Sequence, residues 1–374
     1  MSAASYDVVI AGAGIVGAAC AAEFAQARLR VALIEPIVVG AGATAAGMGH
    51  LAVMDDSEAQ FALCRYSQLL WKNLTDRLPA DVEYLVCGAI WIAADDDEMA
   101  EVQRKQRYYS DHGVPVQVLD RQSLADAEPH LRPGLLGGLL VQEDAVLYPP
   151  CAARFLINEA QRHGATLLLG QKLVSFAENT AVLEDCTSLS AAYVVLANGL
   201  AAGALVPGLQ VQPRKGHLLI TDRHPGFLRH QLIELGYLKS AHSVEADSVA
   251  FNAQPRQTGQ VLIGSSRQYG RDDPLIDSQT MSAMLKRAAE YMPGLRNLSA
   301  IRGWTGFRAA TPDKLPLIGL CPGYETVYVA TGHEGLGITT ALGTAKLLAD
   351  LVLHRECAIP HEPYSPERAY AVHT

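Results

Sequence analysis

Two periods of apolar residues alternate along this chain, and its N-terminal region shows both. Val8-Val9-Ile10 is an unbroken β-branched run, the pattern of a strand buried on both faces of a parallel sheet. Glycines follow at once, Ile15 to Ala27 reads as an alanine-rich helix, and Arg30 to Ile34 reads as a second strand ending at Glu35. Asp56 to Leu78 carries apolar residues at helical spacing (Phe61, Leu63, Leu69, Leu70, Leu74), whereas Tyr84 to Ala94 alternates as a strand does. Asp95 to Asp111 reads as a charged surface helix whose first-turn acids suit the helix dipole. Pro149 to Gly164 is a glycine-ended helix, and the chain then returns to strands, among them a buried run closing in Ala197-Asn198-Gly199. From Gly216 to Gly264 the pattern is strand-rich, and Asp277 to Tyr291 is a helix closed by Pro293-Gly294. A last strand at Tyr328 runs into a glycine-rich turn that opens a long helix through Val352.

Length and composition narrow the class. At 374 residues the chain exceeds what a single core supports, so two closely packed domains are expected, and 49% apolar residues are ample for both. A formal charge of −9 without a basic block removes nucleic acid as a default partner. The seven cysteines lie too far apart in sequence for a zinc or iron–sulfur site, so no metal is expected and they read as reduced thiols of a cytoplasmic protein. The glycine-broken start does not resemble a signal peptide, and no run of about eighteen apolar residues suggests a transmembrane segment. No internal repeat or low-complexity linker is visible.

The first strand, helix and second strand form a complete βαβ unit with a nucleotide-binding arrangement of glycines. Gly12 permits the tight turn, Gly14 lets backbone approach a diphosphate, and Gly17 lets helix and strand pack closely. The helix start at Ile15 and Val16 supplies amides and partial positive charge, and Glu35 stands where an acid accepts from the adenosine ribose. This fingerprint does not separate NAD from FAD. The small-residue segment Gly40 to His50, with Thr44 as its hydroxyl, is a second place where backbone can pass close to a ligand.

Two downstream segments are more specific. Arg302 to Gly319 holds tryptophan-x-glycine-x-arginine, then threonine-proline-aspartate and proline-x-isoleucine-glycine; Tyr328 to Gly343 is the strand, turn and helix start described above. With the N-terminal unit and the small-residue loop, these segments resemble the flavoprotein amine oxidase and dehydrogenase family that includes glycine oxidase, D-amino acid dehydrogenase and the β subunit of sarcosine oxidase. The resemblance implies an α/β plus antiparallel β fold like that of D-amino acid oxidase, in which a Rossmann-like FAD-binding domain (1–80, 145–210, 300–374) interleaves with an antiparallel substrate domain (81–144, 211–299). It implies FAD as cofactor. Thr44, Ala46, Gly47, Met48 and Gly49 would run along the diphosphate to the isoalloxazine, with His50 just beyond; Val174 would meet the adenine, and Ala197, Asn198 and Gly199 would lie beside the cofactor. Gly306, His333, Gly335, Leu336, Gly337 and Ile338 would line the flavin, the last four through backbone at its pyrimidine edge, where donors favour the reduced form. Arg308 would take the substrate carboxylate, a planar fork fixing the Cα–H over the flavin, and Asn252 would face the substrate pocket; Arg302 is left structural. No general base is assigned, because orientation and cofactor electronics suffice for hydride transfer.

The chain also departs from the family. Where glycine oxidase has an arginine in its histidine turn, this chain reads His333-Glu334-Gly335-Leu336-Gly337, so the pocket is expected to lack one charged group; Ala201 stands where a tryptophan is common. The stretches "GMGHLAVMDD", "VLIGSSRQYGRDD" and "GHEGLGITTALGTAKLLADL" look most like the β subunits of heteromeric D-hydroxyproline dehydrogenases, with hydrogen cyanide synthase and L-proline dehydrogenase β-type subunits next. That likeness implies oxidation of cis-4-hydroxy-D-proline to a pyrroline carboxylate, beside an α subunit with its own nucleotide site and a small iron–sulfur subunit. A stand-alone oxygen-using oxidase of glycine, sarcosine or D-amino acids remains open, as do a pyridine-nucleotide dehydrogenase and a non-catalytic FAD-binding subunit.

Overall fold

The computed structural model describes residues 5–236 and 247–369. Positions 237–246 of the strand-rich region, and the first four and last five residues of the expected FAD-binding segments, lie outside the described residues.

Two eight-stranded sheets organise the described residues. The first runs Leu317–Leu320, Val327–Thr331, Ser188–Leu196, Ser5–Ala11, Val31–Glu35, Thr166–Leu169, with the hairpin Leu173–Ala177 and Thr180–Leu183 attached to Ser188–Leu196. Its central pairings are parallel. Successive side chains point to opposite faces, so the β-branched run feeds two cores. Val8 and Ile10 pack against the helices Ile15–Gln26, Pro149–Arg162 and Gly337–Val352, whereas Val9 and Ala11 pack with the hairpin and Ala202.

The second sheet runs Ala300–Ala310, Gln212–Arg223, Gln260–Arg267, Ser248–Pro255, Gln231–Glu234, Ala89–Ala93, Gly137–Val141, Val116–Asp120. It is antiparallel apart from the pairing of Gln231–Glu234 with Ala89–Ala93. Ser278–Tyr291 covers one face through Met284 and Ala288; its N-cap Asp277 accepts from the amides of Gln279 and Thr280. On the other face Trp91 and Ile233 meet Phe61 and Val102. Asp95 caps Asp96–Asp111 in the same way, accepting from Glu98 N at 2.9 Å.

Three expectations shift. The helix read from Asp56 to Leu78 is Glu58–Leu74, capped by Ser57 and followed by a separate tight turn Thr75–Arg77. The strand read from Tyr84 shortens to Ala89–Ala93, because Gly88 sits at φ +71°; before it, Leu85 makes only an isolated bridge to Val146. The boundary placed at residue 300 cuts off a strand of the second sheet: Ala300–Ala310 pairs along its length with Gln212–Arg223. Sheet membership there is decided by that long-range ladder, which local alternation does not reveal.

The sheets meet at the loop that begins with the short helix Ala43–Ala46. Trp304 Nε1 donates to Ala46 O at 3.3 Å, Gln254 Nε2 donates to Met48 O at 2.9 Å, and Thr339 Oγ1 donates to His50 O at 2.8 Å. Gly306 is required at this contact, since a Cβ there would lie 2.3 Å from Ala46 Cβ.

Candidate functional site

The nucleotide end is built almost entirely of backbone. Gly12 turns the chain at φ +100°, and a Cβ on it would stand 2.7 Å from Asn198 Cα; a Cβ on Gly17 would stand 1.8 Å from Gly12 O. Helix and turn therefore approach as closely as backbone allows. Gly14 is the N-cap and has no side chain to offer, so Thr44 Oγ1 reaches across and accepts from Ile15 N at 2.9 Å. The next two amides, of Val16 and Gly17, have no partner inside the helix by its geometry, and the ladder begins with Ala18 N donating to Gly14 O at 2.9 Å. Buried Glu35 ends its strand at the same place: its two oxygens accept from Ala13 N and Ile37 N, both at 2.9 Å.

Beyond Glu35 lies an apolar rim. Ile37 is 70% exposed and Val38 57%, and Gln171 N donates to Glu35 O, which brings exposed Val174 to the same end of the sheet. Ala197, Asn198 and Gly199 close the neighbouring strand, tied by Ala197 N to Ala11 O and by Thr331 Oγ1 to Gly199 O at 2.9 Å. Among the described residues Asn198 Oδ1 is buried without a hydrogen-bond partner. All these groups lie at the carboxyl ends of parallel strands, where open α/β sheets hold ligands. The residues fit a dinucleotide: helix amides for the diphosphate, Glu35 for ribose hydroxyls, and Ile37, Val38 and Val174 for a flat apolar base.

Met48 and His50 lead from this end to the second sheet. Met48 is buried against Leu218 and Leu262, and a Cβ on Gly264 would stand 3.1 Å from its sulfur. Asn252 pairs with Gly264 across the sheet, so its side chain shares that face; among the described residues its Oδ1 is buried and unpartnered. His50 Nε2 is likewise without a partner, and burial pushes the ring down to about 4, so it is neutral near pH 7. His333 Nε2 lies 3.0 Å from Thr344 Oγ1, and burial pushes this ring down to about 3. It braces the turn against its own helix as a neutral imidazole. Leu336 is the N-cap of Gly337–Val352, and Ile338 Cδ1 would stand 2.6 Å from a Cβ on Gly47. The two loops that carry most of the flavin assignments are thus in contact.

Arg308 is half-buried on the strand Ala300–Ala310, and its Nη1 donates to Ser266 O at 3.1 Å. Ser266 is itself held. His217 Nε2 accepts from Asp277 N at 3.0 Å, which places the ring proton on Nδ1, 2.9 Å from Ser266 Oγ. Burial lowers the Arg308 guanidinium from its ordinary value and Glu334 works against that, but an arginine stays charged. Gly335 lies beside Arg308, a Cβ on it being 3.7 Å from Arg308 Nε.

The sequence did not reveal the rest of this cluster. Arg214 stands opposite Arg308 in the ladder, ion-pairs with Glu334, hydrogen-bonds to Tyr269 Oη and stacks on the Tyr269 ring at 4.8 Å. Burial raises the Glu334 carboxyl, and the guanidiniums of Arg267, Arg214 and Arg308 outweigh it, leaving the group below its ordinary range. Burial also lowers Arg267 to about 10. The turn lacks the family arginine, but this part of the molecule is not poor in charge: Arg214 and Arg267 enter from other strands, and Glu334 is part of the cluster. The available sign was the adjacent cations Arg214 and Lys215 leading into the apolar run Leu218-Leu219-Ile220 of the same strand.

The chain is similar over nearly its whole length to known proteins. The profile of the DAO family, FAD dependent oxidoreductase, matches residues 7–351. Glycine oxidase of Geobacillus kaustophilus is 29% identical over 378 residues, covering 97% of both chains, and its crystal structure superposes with a TM-score of 0.87 over 97% of this chain and 98% of that one. Hydrogen cyanide synthase subunit HcnC of Pseudomonas aeruginosa is 26% identical, covering 94% of this chain and 93% of its own. The structure of L-proline dehydrogenase from P. horikoshii shares the fold, with a TM-score of 0.88 at 22% identity and 98% coverage of each chain.

Proposed function

Because the chain belongs to the DAO family of FAD-dependent oxidoreductases, we propose that it dehydrogenates the Cα–N bond of a small imino or amino acid, with cis-4-hydroxy-D-proline as the preferred substrate and a pyrroline carboxylate as product. The observation that carries this reading is the strand Ala300–Ala310: Gly306 packs on Ala46 of the cofactor loop, and Arg308, two positions on, shares its face. A carboxylate anchor and the cofactor loop are thereby held by one rigid element.

FAD, when bound, supplies the two-electron acceptor. Arg308 takes the substrate carboxylate through its free guanidinium edge, with Ser266 O and the His217 contact keeping its plane fixed. Asn252 Oδ1, buried and unpartnered among the described residues, accepts from the substrate hydroxyl or amine. An analogue lacking that donor leaves the amide oxygen unsatisfied, which is how a built polar site discriminates. Gly335 to Ile338 offer the backbone donors at the flavin edge, and Met48 and Trp304 keep water from the face between them.

In this reading the protein is the cytoplasmic β subunit of a heteromer, passing electrons to an iron–sulfur subunit beside an α subunit with its own nucleotide site. Similarity over nearly its whole length to HcnC, named as a subunit, supports this. No helix among the described residues is long and apolar enough to cross a membrane. A glycine-oxidase-type oxidase using oxygen is the second reading, favoured by 97% mutual coverage with a glycine oxidase. Anaerobic flavin bleaching with D- and L-proline, the hydroxyprolines, sarcosine and glycine tests the substrate. Cis-4-hydroxy-D-proline should bleach at the lowest concentration, with negligible oxygen uptake; rapid uptake with glycine would establish the second reading instead.

A further inference from the structure

We propose that Glu334 occupies, from within the chain, a second carboxylate position in the pocket, and so restricts the enzyme to substrates with a single carboxylate. The inference rests on the reading of Arg308 as carboxylate anchor.

The backbone brings Glu334 to this place. Its N–H donates to Ala309 O at 2.8 Å, pinning the turn beside Arg308, and its own φ is +51°, held by the glycine-rich turn around it. The side chain is 12% exposed and its partner Arg214 5%. Arg214 is fixed on its other side by the Tyr269 hydroxyl and ring. Arg214 and Arg308 are direct cross-strand neighbours, and like charges so placed repel unless an anion lies between or beside them. With Arg267 contributing a further positive charge, three guanidiniums surround one carboxylate. Glu334 offsets part of that charge, and a substrate carboxylate at Arg308 supplies the next anion.

A substrate with a second carboxylate would have to set its charge against Glu334 or displace it from Arg214. Either course costs about a hundredfold in affinity, or about 2.8 kcal/mol. Glu334, in the turn from which the family arginine is missing, would thus act by repulsion, and the accepted class is monoanionic imino and amino acids.

The test is a titration of the flavin-loaded protein, following flavin absorbance, with L-proline and D-proline as monocarboxylates and iminodiacetate and D-aspartate as dicarboxylates. The native protein should favour monocarboxylates by about a hundredfold. Glu334→Gln, which keeps shape and removes charge, should narrow that preference by about tenfold or more. The double variant Arg214→Met/Glu334→Met removes the receptor as well and should reject dicarboxylates again. An unchanged preference in Glu334→Gln, or dicarboxylate binding by the double variant equal to that of Glu334→Gln, would overturn the proposal. If Glu334→Gln does not retain flavin, Glu334→Ser purified with acetate, which refills the position, and dialysed before titration is read against the same outcomes. Arg308→Ala separates the premises: weaker monocarboxylate binding there, with no change in Glu334→Gln, rejects only the role of Glu334, whereas native binding by Arg308→Ala rejects the anchor itself.

Discussion

The two ends of the site are made of different material. At the nucleotide end the site is formed by amides and close backbone approaches: Gly12 against Asn198, Gly17 against Gly12, and Ile15 N capped by Thr44. At the substrate end it is formed by charged side chains from separate elements: Arg214, Arg267 and Arg308 on three strands and Glu334 on a turn. A backbone cradle tolerates little change in side-chain size but carries little identity. A charge cluster tolerates shape changes and carries the specificity. Damage to the first should therefore abolish cofactor binding, and damage to the second should change which substrate reacts while flavin stays bound.

The harshest way to probe this contrast is Gly17→Val, whose Cβ would fall 1.8 Å from Gly12 O. Purified variant should carry no flavin and melt well below the native protein, with a loss of at least about 3 kcal/mol. A full flavin-to-protein ratio would show that close approach is not what the cradle needs.

Asp144 lies between the two ends, beneath the segment leading from His50. Its Oδ1 accepts from Val53 N at 3.2 Å and Gln68 Nε2 at 2.9 Å, and burial pushes the carboxyl up to about 8 from 3.8. The folded state then holds a proton that the unfolded chain has released. The contribution of Asp144 to stability is full below its unfolded value near 3.8 and is lost as pH rises toward 8. Asp144→Asn should remove this decline and be the more stable protein at pH 8, by on the order of 2 kcal/mol, in denaturant melts across that range. Parallel pH profiles for native and variant would contradict the assignment.

The gentlest probe is Trp304→Phe, which deletes the indole donor to Ala46 O but keeps most of the packing. It should cost about 1 kcal/mol in thermal stability and leave substrate preference unchanged. A changed preference would mean that the contact between the two ends also sets specificity.

The same contrast explains what could be read in advance. The cradle was legible because its chemistry follows from glycine spacing within one βαβ unit, and the acid at Glu35 confirmed the register. Arg308 was singled out by its surrounding motif, and its role as anchor is the proposal made above. The ion pair of Arg214 and Glu334 was not, because its members are 120 residues apart and meet only when the turn after Val327–Thr331 folds onto the edge of the second sheet. The turn that carries Glu334 was noticed for a missing arginine, yet the effect of Glu334 depends on a neighbour that no local pattern indicates. The sheet that holds the strand Ala300–Ala310 was hidden for a related reason: the strand carries the cofactor loop's packing partner Gly306 but hydrogen-bonds with Gln212–Arg223 of the second sheet.

The central claim is that Arg308 anchors the substrate while the backbone cradle holds the cofactor without it. Anaerobic bleaching of native protein, Arg308→Lys and Arg308→Ala over a range of cis-4-hydroxy-D-proline, with flavin content measured on the same samples, tests it most directly. Both variants should retain native flavin content, while the concentration for half-bleaching rises by about a hundredfold or more in Arg308→Ala and less in Arg308→Lys. Half-bleaching of Arg308→Ala at the native concentration would contradict the account.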